Sequence, residues 1–294
     1  MKWKHLPIVA FDTETTGLDP FAGDRVIEVG CVVLKLDASG QVVDRQDHSW
    51  LINPGVPIPR KTTELTGLRD ADVANEPSFD HIASEIGALF ASSVAVAHNA
   101  PFDLGFLAME FRRAGLPWRE PLAVIDTLDL SNKHFPKERT HKLADFARRL
   151  DVPLDRAHRA TDDAAACGLG FAALARRHEV PDDLQSLLSW GDAVGRPPED
   201  GPLGVDTHGT PTFTEGPHAG ERVVDHPVHL AWMARARVQG PQGWAYRWPE
   251  STRAWIDRWL KVRCTGRFSQ HAKSFRSDDW VLDACIADER QRAS

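Results

Sequence analysis

The chain is short of several things that would assign it to a class at once. Its four cysteines, Cys31, Cys167, Cys264 and Cys285, lie far apart with no two-residue spacing, which argues against a disulfide framework and against a zinc ribbon. No stretch approaches the roughly 18 apolar residues of a membrane span, and the early run Ile8 to Phe11 meets Asp12 too soon for a signal-peptide core. The expectation is a cytoplasmic protein with no membrane contact. Internal repeats are absent as well. With 294 residues, 42% hydrophobic and 26% charged, the composition excludes collagen-like, coiled-coil and wholly disordered chains. The length suits one large domain with a smaller one.

What is present is unevenly distributed. The formal net charge of −7 breaks into −5 over residues 1–180, −7 over 181–221, +8 over 222–276 and −3 beyond. The expected organisation is therefore a first domain at 1–180, an acidic Pro/Gly-rich linker at 181–221 and a basic module at 222–294. The module carries six of the ten tryptophans: Trp232, Trp244, Trp248, Trp255, Trp259 and Trp280. Arginine with tryptophan suits a single-strand surface, charges tracking phosphates and rings stacking bases. The same Trp255 and Trp259, four apart, also suit a helical core with Arg258 and Arg263 facing solvent.

Apolar runs alternate with helical patterns in the first 180 residues, as in an α/β domain. A strand is expected at Ile8 to Phe11. Two more follow at Val26 to Leu36 and Gln41 to Ile52, joined by the turn-like Asp37-Ala38-Ser39-Gly40, which gives an antiparallel meander. Further on come helices at 79–90, 103–114, 141–150 and 161–177, and strands at 94–97 and 124–125. The sheet is expected to be mixed.

Asp12 and Glu14 follow the first strand two residues apart, so they share a face, and Gly17 just beyond is free to adopt a positive φ. Asp103 opens a helical pattern, and His158 precedes Asp163 across another helix start with Thr161 as a candidate N-cap. Taken singly, each has an ordinary explanation: a solvated acidic turn, a helix cap, a first-turn acid. Together they offer four carboxylates and an imidazole that one sheet edge could gather. Such a set suits a pair of Mg²⁺ or Mn²⁺ ions stabilising attacking and leaving oxygens at phosphorus, with a neutral imidazole to take a proton.

Three segments carry a resemblance. Phe11-Asp12-Thr13-Glu14-Thr15-Thr16-Gly17-Leu18, then His98-Asn99-Ala100-Pro101-Phe102-Asp103, then His158-Arg159-Ala160-Thr161-Asp162-Asp163-Ala164 closely resemble the motifs of the DEDDh family of 3′-to-5′ exonucleases. That family includes the epsilon proofreading subunit of bacterial DNA polymerase III. Glu64-Leu65-Thr66-Gly67-Leu68, Ile125-Asp126-Thr127-Leu128 and His141-Lys142-Leu143-Ala144 are similar to it too, and the match spans about residues 6–178. The resemblance implies an RNase H-like fold with a central mixed five-stranded sheet flanked by helices. It implies Asp12, Glu14, Asp103 and Asp163 as ligands of two Mg²⁺ or Mn²⁺ ions and His158 as general base. It places Thr15, Gly17, Leu18, Asn99 and Phe102 around the 3′-terminal nucleotide. Asp162 reads as a solvated neighbour.

Phe213, Gly216, His218, Gly220, Pro227, Leu230, Trp232 and Met233 resemble the short module that follows the exonuclease domain in exodeoxyribonuclease X-like proteins, with His229 standing in place of Tyr. The small C-terminal module is expected to be helical. The implied activity is release of nucleoside 5′-monophosphates from a 3′ end, DNA favoured, with single-stranded DNA and a polymerase or repair protein as partners. Two alternatives stand beside it. A metal-dependent phosphomonoesterase is disfavoured because Glu14 replaces the second Asp of the phospho-aspartate pattern. A non-catalytic nucleic-acid or polymerase-binding module on the same fold has no need of four carboxylates near a polyanion.

Overall fold

A computed structural model describes residues 1–118, 121–154, 159–191, 197–206, 211–223, 226–240 and 243–264. The fold divides into two compact units, Met1–Ala193 and Val194–Ser294.

The first unit is built on β1 (Ile8–Thr15), β2 (Val26–Leu36), β3 (Val42–Leu51), β4 (Val94–Ala97) and β5 (Ala123–Asp126), in the order β3-β2-β1-β4-β5. β1 pairs antiparallel with β2 and parallel with β4, so the expected mixed five-stranded sheet is what forms. β2 and β3 make the expected hairpin, its turn closed by the Asp37 Oδ1 oxygen, which accepts from the amides of Ser39 and Gln41. Around the sheet run α1 (Arg60–Thr66), α2 (Asp70–Val73), α3 (Phe79–Phe90), α4 (Ala100–Arg113), α5 (Thr127–His134), α6 (Leu143–Arg149), α7 (Ala160–Arg177) and α8 (Leu184–Gly191). The main core joins Ile8, Ala10, Val32, Leu34, Val94, Val96 and Ile125 of the sheet to Phe146, Phe171 and Leu174 of the helices.

α7 lies unusually close to the sheet because glycines meet it there. A Cβ on Gly168 would sit 2.6 Å from Ala10 Cβ, and one on Gly30 of β2 would sit 2.2 Å from the Ala160 carbonyl carbon. The helix therefore begins directly over the middle of β2.

Several boundaries differ from expectation. β1 continues four residues past Phe11, so Asp12 and Glu14 stand within the strand rather than after it. α4 begins at Ala100, with Asn99 in the left-handed region (φ 70°) as its N-cap and Pro101 in its first turn, which moves Asp103 from the helix start to the end of that turn. α7 begins at Ala160 with Arg159, not Thr161, at the N-cap. Gly17 has no positive φ; its lack of a Cβ instead makes room for the Asp24 carboxylate, 2.2 Å from where a Cβ would be.

Within 181–221, read as linker from its Pro, Gly and acid content, the described residues hold regular structure. Leu184, Leu187, Leu188 and Trp190 give α8 an apolar stripe that packs into the first core. Leu184 and Trp3 donate their amides to Met1 and Asp182 carbonyls, fastening this stretch to the N-terminus.

The second unit contains hairpin β6 (Leu203–Val205)/β7 (Pro211–Phe213), α9 (Pro227–Arg235), hairpin β8 (Arg237–Gly240)/β9 (Gly243–Tyr246) and α10 (Glu250–Cys264). It is thus helical with two small hairpins. Its core is Leu203, Phe213, Val223, Leu230, Met233, Trp255, Ile256, Trp259 and Leu260. Trp255 and Trp259 are core residues and cannot stack bases, whereas Trp232 is about half exposed. Arg258 is half-buried rather than solvent-facing. Trp280 and the side chains of Trp244 and Arg263 lie outside the described residues. No helix among the described residues is long and apolar enough to cross a membrane.

Candidate active site

The candidate site forms where β1 ends. Strand alternation turns Asp12 and Glu14 to one face, and the close seat of α7 on Gly30 brings the first helical turn, with Asp163, over that face. One carboxylate oxygen each from Asp12, Glu14 and Asp163 lies within 4.8 Å of the others. A register shift between Glu14 and Thr15 breaks the ladder at this point, the kind of irregularity that re-aims side chains at a sheet edge.

Asp103 arrives from α4 and is fixed to β1 through Thr13. Its Oδ1 accepts from the Thr13 amide (2.9 Å) and the Thr13 hydroxyl (2.7 Å). Asp103 is not part of the 4.8 Å group, yet its charge acts on both Asp12 and Glu14.

Burial is the largest influence on these groups, and mutual repulsion adds to it. Asp12 is held well above the ordinary carboxylate range by burial and by Asp103, Asp163, Glu14 and Glu28. Glu14 is pushed up to about 8 by burial, Asp163, Glu28 and Asp103, with Arg159 pulling the other way. Burial raises Asp103, opposed by its bonds from Thr13. Carboxylates so crowded resist ionising together until a cation shares their charge. The donors are all oxygen, so the fitting cation is a hard divalent one.

Supporting residues escaped sequence reasoning. Glu28, on β2 opposite Glu14, is buried and takes an ion pair from Arg159 at 2.9 Å, which ties the start of α7 to the sheet beside the acids. A charge inside the apolar run Val26-Ile27-Glu28-Val29 was the available signal. Asp126, at the end of β5, accepts from the amides of Asn99 (2.9 Å) and Ala100 (3.1 Å) while capping α5 through Leu128 (2.8 Å). It thereby holds the entry of the helix that carries Asp103. Glu110 of α4 is buried beneath a two-pronged contact from Arg25 (2.7 and 2.8 Å), with Arg113 at 3.1 Å. Arg113 also donates to the carbonyls of Asp24 and Pro20, so the loop after β1 is tied to α4.

The residues expected around a nucleotide fall on the same edge. Thr15 is buried with its hydroxyl donating to the Gly17 carbonyl (2.6 Å), and Leu18 is exposed. Asn99 and Phe102 start α4, Phe102 packing on Phe106. Thr62 of α1, from the stretch before Gly67, donates to the Thr16 carbonyl at 3.1 Å. Asp162 lies half-buried in the first turn of α7. His158 lies outside the described residues.

A family model described as Exonuclease, RNase_T, matches residues 9–169, more than half of the chain, a span that includes Asp12, Glu14, Asp103 and Asp163. The chain belongs to this exonuclease family. Within it, the chain is 38% identical over 163 residues to the 3′-5′ exonuclease DinG of Bacillus subtilis, covering 55% of this chain and 17% of that one. It is 35% identical over 196 residues to a PolC-type DNA polymerase III of Bacillus cereus, covering 64% of this chain and 13% of that one. The chain thus spans less than a fifth of the length of these relatives. Among solved structures, E. coli ExoI with zinc and single-stranded DNA superimposes with a TM-score of 0.51 at 18% identity, over 60% of this chain and 41% of that one. The expected RNase H-like exonuclease fold is borne out.

Proposed function

We propose that the chain is a divalent-cation-dependent 3′-to-5′ exonuclease that releases nucleoside 5′-monophosphates, with DNA the favoured substrate. The observation that carries this is the meeting of Asp12, Glu14 and Asp163 at the end of β1, with Asp103 beside them, inside an exonuclease-family domain. These four carboxylates would hold two Mg²⁺ or Mn²⁺ ions, which when bound supply Lewis-acid stabilisation of charge on the attacking and departing oxygens.

The remaining work falls to the chain's own groups. Asp12, Glu14, Asp103 and Asp163 would hold the cations where a terminal phosphodiester can reach them, and Thr13 fixes Asp103 through its amide and hydroxyl. His158, next in the chain to Arg159, would accept the proton of the attacking water as a neutral imidazole. Thr15, Gly17, Leu18, Asn99 and Phe102 would cradle the terminal nucleotide, Leu18 offering an apolar surface to a base. The Arg159–Glu28 pair keeps a cation near the acids without spending it on them.

The basic C-terminal module, drawn at 222–294 with 1–180 as the exonuclease domain, would engage the strand. Arg237 and Arg253 lie over the exposed Tyr246 ring (4.7 and 3.7 Å), and Arg247 lies over Trp248 (5.0 Å). Exposed arginine against an aromatic face is the combination that binds single strands. Likeness to PolC-type polymerase chains supports a proofreading or repair setting for the activity.

The testing experiment is degradation of matched 5′-labelled single-stranded DNA, duplex DNA and RNA with Mg²⁺ and with Mn²⁺. A descending ladder from the 3′ end on DNA is expected. Release of the 5′ label as a mononucleotide without a ladder, or phosphate release without strand shortening, would overturn the proposal.

A further inference from the structure

The second unit contains a cluster of donors that the exonuclease reading does not use. Residues 214–223 fold into a tight loop after β7. Gly216 and Gly220, both at positive φ (86° and 84°), turn the chain, and the Gly220 amide returns to the Phe213 carbonyl at 2.8 Å. The Phe213 amide donates to the Glu221 carbonyl, and the Glu221 amide donates to the His218 carbonyl. His218 and Glu221 therefore project from one well-fixed loop. His226 is the N-cap of α9, and the loop closes against it through the His226 amide and the Val223 carbonyl.

The three side chains converge. His218 Nδ1 lies 3.2 Å from Glu221 Oε2, and His226 Nε2 meets the same oxygen. The His218 and His226 rings stack at 3.8 Å. One ligand atom from each of the three lies within 4.8 Å of the others. The buried Phe213 ring packs beneath both imidazoles, and His229, one turn into α9, stands edge-on to His218 and over Trp232. All three donors remain partly open to solvent.

We propose that His218, Glu221 and His226 form a site for a divalent transition-metal ion, Zn²⁺ by class, distinct from the all-oxygen cluster of the first unit. Two imidazoles and one carboxylate are the donors that borderline metals select over Mg²⁺ or Mn²⁺. Tetrahedral zinc with bonds of about 2.0–2.1 Å separates its ligand atoms by about 3.3 Å; His218 and Glu221 stand at 3.2 Å, and the closer His226 nitrogen would draw back from Glu221 to take its place. One carboxylate oxygen faces two imidazole nitrogens, so three donor atoms gather on one point. A bound ion would take one atom from each side chain and leave one coordination position to solvent. The ion would pin the 214–223 loop to the start of α9.

The test uses the full chain, with excess Mg²⁺ present to occupy the carboxylate cluster. Zn²⁺ affinity is measured by competition with a chromophoric chelator, and Co²⁺ is added separately as a spectroscopic probe. One Zn²⁺ per chain should be retained, and Co²⁺ should develop the intense visible bands of a low-coordinate nitrogen and oxygen site. His218→Gln, His226→Gln and Glu221→Gln should each weaken Zn²⁺ by about 10²-fold and remove the bands, while Asp12→Asn should retain both. Glu221→Gln, an exposed and nearly isosteric change, guards against loss through misfolding. The proposal is overturned if no Zn²⁺ survives Mg²⁺ competition, if the three variants bind as the parent does, or if Asp12→Asn is the change that removes the ion.

Discussion

Replacing Gly30 with alanine tests how α7 positions the site without touching any acid. A methyl group there would lie 2.2 Å from the Ala160 carbonyl carbon and 2.3 Å from the Thr161 nitrogen, and ordinary contact begins near 3.4 Å. The first turn of α7 must therefore withdraw by about 1.2 Å, because Gly30 is held between β1 and β3 and cannot itself retreat. Asp163 stands in that first turn, so its carboxylate leaves the group it shares with Asp12 and Glu14. A displacement near 1 Å at reacting groups costs on the order of 10²-fold in rate, and overpacking of this kind about 1–3 kcal/mol in stability. Single-turnover cleavage of a 5′-labelled oligonucleotide and thermal unfolding read the two effects. Gly105→Ala is the control: it lies within α4, a Cβ there meets nothing within 4 Å, and the change should add about 0.5–1 kcal/mol of stability. Gly30→Ala with the parent's rate and melting temperature would refute the reasoning.

Three further outcomes are expected. In chelator-treated protein, stability should fall as pH rises from about 4.5 to about 8: Glu14 keeps its proton to about 8 when folded, and the unfolded chain releases it near 4.5. Glu14→Gln should flatten that slope in unfolding scans, and parallel curves would contradict it. Arg25→Met should cost about 3 kcal/mol in urea unfolding by leaving the buried Glu110 with Arg113 as its remaining ion-pair partner, and adding Glu110→Leu should recover part of it; an unchanged midpoint for the single variant would count against the network. Arg237→Gln with Arg253→Gln should make the salt dependence of single-strand binding shallower by about 1.4 in logarithmic slope, about 0.7 per phosphate contact, and equal slopes would remove that face from the strand's path.

Much of the sheet was legible because its strands carry long β-branched runs: β2 and β4 fall where expected, as does α3 with its regular apolar face. The resemblance marks Asp12, Glu14, Asp103 and Asp163, of which Asp12, Glu14 and Asp163 come within 4.8 Å of one another. What escaped depends on partners distant in sequence. β1 runs past Phe11 although Asp12 and Glu14 break the apolar pattern from which a strand's end is read in sequence. The Glu28–Arg159 pair joins residues 131 apart, so neither member looks exceptional alone. Short helices such as α1, α2 and α5 lack the length for periodicity to show, and α8 was hidden among prolines and acids although its leucines and Trp190 complete the first core. Trp255 and Trp259 left two roles open until the packing of α10 against α9 put them inside.

The measurement closest to the central claim is metal-dependent cleavage by the parent, Asp12→Asn and Asp163→Asn proteins on one 5′-labelled single strand, with Mg²⁺ and with chelator. With Mg²⁺ the parent should give a stepwise ladder from the 3′ end, and that ladder should be lost in chelator and in both variants while all three remain folded. Cleavage by either variant at more than a few per cent of the parent rate, or a ladder that persists in chelator, would contradict the assignment of this carboxylate cluster as the reaction centre.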